Sequence, residues 1–114
     1  MTQVSLFDFL IQKSQDVREL EKQGQTLLRD QGQKAYEDIM RQKATLLAAL
    51  ADDVKKQFGN VGGEQMRRLE RFSFNAQTAL SIGSVFYMSA LLYPEDYEAG
   101  EPNDLERLAA EVGQ

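Results

Sequence analysis

With 114 residues, 27% of them charged, and with eight glycines and two prolines, the chain has the length and balance of one ordered domain spanning residues 1–114. It contains neither cysteine nor histidine, which excludes disulfides, thiolate nucleophiles, Ser-His triads and every His- or Cys-ligated metal centre. The formal charge of −5 is carried by the C-terminal part, where residues 72–114 hold only Arg107 against seven acids, and such a chain is expected to repel nucleic-acid phosphates rather than bind them.

The opening MTQVSLFDFLIQKS has no basic stretch and places Asp8 inside its short apolar run. It does not read as a signal peptide, so the cytoplasm is the expected compartment. Ser5 followed by Asp8 has the form of a helix N-cap with an acid in the first turn, and Leu6, Leu10, Val17 and Leu20 recur at helical spacing. The first helix is expected over about 5–30, with a turn near 30–33. Gly24 and Gly32 lie in two similar Gln-Gly-Gln stretches, so a bend at Gly24 or one unbroken helix through both glycines is the competing reading.

Tyr36, Ile39, Met40, Leu47, Leu50, Val54 and Phe58 form an apolar stripe at steps of three and four, which predicts a second helix over 33–58. Gly59-Asn60-Val61-Gly62-Gly63 is a loop: it follows a helix rather than a strand, and it lacks the Lys and Ser/Thr of a phosphate-binding loop. A third helix is expected over 64–93, ended by Pro94, which cannot supply the amide that the ladder needs. Its first turns carry the one basic cluster, Arg67, Arg68 and Arg71, read as a solvated face paired with Glu64 and Glu70.

From Phe72 to Pro94 this third helix runs through 23 residues without a charge. Leu80, Ile82, Val85, Phe86, Met88, Leu91 and Leu92 occupy most of its circumference, so burial on nearly every side is expected. Each large apolar side chain left in water forfeits on the order of 1.5–3 kcal/mol. The acidic loop 95–101 follows, with a spacing unlike that of a calcium loop. Asn103 with Glu106 then reads as a capping box for a short helix over 104–112.

No alternating strand pattern appears, and the fold expected is all-α: an antiparallel bundle of three long helices plus a short C-terminal one. The sequence offers no catalytic residue set, no cofactor motif and no metal-ligand spacing. The functional expectation is therefore a non-enzymatic interaction protein, a small helical subunit, adaptor or chaperone, that associates through residues 72–94. Leu80, Ile82, Phe86 and Leu91 are the expected contacts, joined by Tyr93 and Tyr97 because tyrosine offers a rigid surface with a polar tip. The partner is expected to be a second copy, with a dimer favoured, or another helical protein. The alternative is a membrane-associated subunit with 72–94 inserted in the bilayer, against which stand Asn75, Gln77 and the serines of that stretch.

Overall fold

The computed structural model describes residues 4–59 and 61–113, so Asn60 of the glycine-rich loop and the first three residues of the opening stretch lie outside the described residues. The fold is an all-α bundle of α1 (Leu6–Gln31), α2 (Gln33–Ala48), α3 (Leu50–Phe58), α4 (Gly63–Ile82), α5 (Val85–Ala90) and α6 (Asp104–Val112). No strand occurs among the described residues.

Ser5 caps α1 by accepting the Asp8 amide at 3.1 Å. The helix runs unbroken through Gly24 and stops at Gly32, whose φ of 99° lies in the region that favours glycine. The chain reverses there, so α2 returns along α1, with Glu21 facing Lys43 and Gly24 facing Met40. Gly24 is buried, and a Cβ at that position would stand 2.9 Å from Met40 Cε, so a side chain there would require the Met40 tip to move.

The helix expected over 33–58 is two helices, kinked at Ala49, and the cause is a side chain from α4. Ser73 Oγ accepts the Ala51 amide at 3.0 Å and donates to Leu47 O at 2.8 Å. An unbroken helix would join those two backbone groups directly, so the hydroxyl has inserted itself into the ladder. Gln77 Nε2 takes the neighbouring Ala48 carbonyl at 3.2 Å.

The helix expected over 64–93 is likewise interrupted. Gly83 adopts left-handed backbone, φ 68° and ψ 27°, and the Ser84 amide reaches back to Ala79 O at 3.2 Å, closing α4 as a glycine C-terminus does. Ser84 Oγ then accepts the Tyr87 amide at 3.2 Å and starts α5. α5 ends at Ala90, short of Pro94, because Leu91 is extended and Leu92 has a φ of 75°. No helix among the described residues is long and apolar enough to cross a membrane.

The core has two parts. Leu10, Val17, Leu47, Leu50, Leu69 and Leu108, with their neighbours, join α1, α2, α3, α4 and α6. Ile39, Met40, Ala44, Ala79 and Met88 fix α4 and α5 on α2. The Asn103–Glu106 capping box is complete in both directions and starts α6, which packs on α1.

Candidate functional site

Two places concentrate chemistry that a plain bundle does not need. The first is a polar network where α1, α2 and the segment between α5 and α6 meet. Lys43 sits on the apolar stripe of α2 and its side chain is wholly out of solvent, yet it carries an ammonium. That charge donates to Ser89 O at 2.8 Å, meets Glu21 Oε2 at 3.0 Å, and lies 5.1 Å from the centre of the Tyr93 ring. Burial lowers the Lys43 pKa, and the Glu21 carboxylate opposes that shift.

Tyr93 donates its hydroxyl to the other Glu21 oxygen at 2.5 Å and accepts from Arg18 Nη1 at 3.2 Å. Its pKa is raised, first by burial and then by the hydrogen bond to Glu21. Arg18 Nη2 meets Glu106 Oε1 at 2.6 Å and the Glu101 carbonyl at 3.2 Å, and its pKa is raised chiefly through Glu106. For Glu106, burial favours the neutral acid, but the Arg18 hydrogen bond, the Asn103 amide and the Arg18 charge together hold its pKa below the usual value. Tyr97 stacks edge-on against Tyr93, with centroids 4.7 Å apart, and donates to Glu101 O at 2.7 Å.

A shallow hollow of about 630 Å³ lies over this network, with Arg18, Glu21, Tyr93 and Tyr97 in its wall. Both Glu21 oxygens and all three Arg18 nitrogens already have partners within the chain. The arrangement ties α1, α2 and α6 together. Among the described residues one buried side-chain polar atom, Asn103 Nδ2, makes no hydrogen bond. Among the described residues no group of three or more acids is placed to hold a metal ion.

The second place is the uncharged segment, which is not buried on nearly every side as expected. Phe74 is 66% exposed, Ile82 58%, Phe86 74% and Tyr87 55%. The break at Gly83–Ser84 produces this: it folds α5 back toward α4, and the two helices together leave one apolar face open rather than one helix surrounded by neighbours. A groove of about 580 Å³ runs along that face. Its α4 wall includes the helical stripe Arg71, Asn75, Thr78 and Ile82, at steps of four, three and four, together with Arg68, Phe72, Phe74 and Ala79, and Asp104 of α6 also lines the groove. Its other wall includes Tyr87, Ala90 and Leu91. Phe86 stands beside it, packed edge-on to Tyr87 with centroids 5.7 Å apart.

The six residues expected to contact a partner are dispersed by this geometry. Ile82, Leu91 and Tyr93 line the groove and Phe86 projects next to it. Leu80 packs against the Ile39–Met88 cluster, and Tyr97 belongs to the polar network. The basic cluster is also paired differently from expectation. Arg67 does meet Glu64, at 3.7 Å, but Arg68 bonds Glu111 of α6, and Glu70 lies 4.0 Å from Lys55. Arg71, at the groove end, has no acid within ion-pair distance among the described residues. Sequence reasoning passed over Phe74, which shares this face, and Lys43, whose place between Ile39 and Leu47 on the apolar stripe was a legible signal of a buried charge. No known family, curated protein or solved structure matches the chain.

Proposed function

We propose that the protein is a non-enzymatic protein–protein interaction module, a small helical subunit, adaptor or chaperone, that associates through the apolar face formed by the end of α4 and by α5. One observation carries this reading: Phe74, Ile82 and Tyr87 line one groove and Phe86 packs on Tyr87 beside it, and these four are the most exposed large apolar side chains among the described residues. Exposed apolar patches of this extent mark association sites on soluble domains. The groove also has the form that accepts a helix, with residues of one helical stripe along one wall. The reading takes the cytoplasm as its compartment.

Insertion of residues 72–94 into a bilayer is the competing reading, and it requires the Gly83–Ser84 break to straighten; dependence of the expressed chain on detergent distinguishes it. The association reading is tested by placing a photo-cross-linking residue at position 86 in the producing cell. Cross-links to protein from position 86, and none from position 4, support it. Equal absence of cross-links at both positions contradicts it.

A further inference from the structure

We propose that the occupant of this face is a second copy of the same chain, paired about a twofold axis that passes between Asn75 and Thr78. The inference rests on the reading that the α4–α5 face is an association surface, and it specifies the partner.

Three observations converge on a copy. The first is charge. A chain with a net charge of −5 repels its own copies over most approaches, and Phe72–Pro94 is the one long stretch that carries no charge. Two copies meet with least repulsion there, although Arg68, Arg71 and Asp104 also line the groove; Arg68 is already paired with Glu111 within the chain. The second is shape. The same face bears both a projection and a hollow: Phe86, 74% exposed on the first turn of α5, stands next to the groove along α4 without lining it. A twofold contact is self-complementary by construction, so each Phe86 enters the groove of the other copy.

The third is area. Phe74, Ile82, Phe86 and Tyr87 are each more than half exposed. Taking roughly 200 Å² for each such side chain, they offer about 500 Å² per copy and about 1,000 Å² across the contact, the threshold for a specific interface. Asn75, Thr78 and Ala90 along the groove add to that.

The charges at the groove also set the orientation. Arg71 lies at one end of the α4 stripe and Ile82 at the other. With α4 antiparallel to its copy, the two Arg71 side chains sit about 16 Å apart, at 1.5 Å of rise per residue, well beyond the screening length at physiological salt. A parallel arrangement sets them side by side. The centre of the antiparallel stripe falls between Asn75 and Thr78, which places the axis there.

The test is the mass of the purified chain by light scattering across a concentration series, for the wild type and for Phe86→Asp, Thr78→Arg and Val4→Asp. Positions 86, 78 and 4 are all exposed in the single chain, so none of the variants removes core packing, and circular dichroism verifies the fold. The expected result is twice the chain mass of 12.9 kDa for the wild type and Val4→Asp, with the dissociation constant of the other two raised by more than about 30-fold, as for a central contact residue. A wild-type monomer at every concentration overturns the second copy as occupant; cross-links from position 86 to a different protein then leave the association reading standing, and their absence ends both. A dimer indifferent to Phe86→Asp and Thr78→Arg places self-association on another surface and likewise overturns the proposal.

Discussion

Lys43 Nζ on α2 meets Glu21 Oε2 on α1 at 3.0 Å, with the lysine side chain entirely removed from water. Neither residue tolerates the loss of the other equally. Removing the carboxylate leaves a buried, uncompensated ammonium, whereas removing the ammonium leaves a carboxylate that still accepts from Tyr93. Glu21→Ala is expected to destabilise the fold by about 3 kcal/mol, and Lys43→Met by clearly less, since an apolar side chain of similar volume suits a core position. Urea unfolding of the two variants measures this difference; equal losses would show that the ion pair does not hold the Lys43 charge in place.

The dependence of stability on pH follows from the same network. The pKa of Glu106 in the fold lies below its ordinary 4.5, so its contribution is present above that value and is lost as the pH falls through the lowered one. Asp104 has the opposite sign. Burial raises its pKa above 3.8, against the opposing charges of Arg107 and Arg68, so its contribution is present in acid and is lost as the pH rises through the raised value. Glu106→Gln should therefore flatten the loss of stability on acidification below about pH 4.5, and Asp104→Asn should steepen it. On the alkaline side, the lowered Lys43 pKa makes stability increase as the pH climbs toward the ordinary 10.5, and Lys43→Met should abolish that increase. Denaturation midpoints measured across the pH range decide each case.

Ser73 is expected to control the kink between α2 and α3. In Ser73→Ala the Ala51 amide and the Leu47 carbonyl, both buried, lose their shared partner. The variant should lose about 2 kcal/mol, the cost of leaving such groups unpaired, partly offset where the backbone closes the gap. An unchanged melting temperature would mean that packing alone bends the helix.

Gly83→Ala tests the break between α4 and α5. A Cβ at that position meets nothing within 4 Å, so the cost is purely that of left-handed backbone, about 1–2 kcal/mol. If the variant were as stable as the parent, α4 and α5 would have to be free to merge.

The helical class, the caps at Ser5 and Asn103 and the turn at Gly32 were legible because each depends on a local pattern that tertiary packing did not override. The two interruptions were not read, for different reasons. Gly83-Ser84 carried its own signal, a glycine C-terminus followed by a serine N-cap, but the uncharged run around it was read as one helix over 64–93. The Ala49 kink had no local signal, since its cause, Ser73, lies on another helix. The apolar face was legible as an uncharged run but not as a surface: only the fold of α5 back beside α4 makes Phe74, Ile82 and Tyr87 line one groove. The ion network joins residues as far apart as Arg18 and Glu106, a separation no spacing rule spans. Lys43 alone had a local signal, its register on the α2 stripe, and it was passed over.

The central claim is that the face around Phe86 is covered when the protein is at work. Because the chain has no cysteine, a single cysteine replacing Phe86 or Val4 can be followed by maleimide labelling without background. In intact cells position 86 should label at least about tenfold more slowly than position 4, and the two should converge when the chain is unfolded, as burial at a contact requires. Rapid, equal labelling of both positions in the cell would contradict the account.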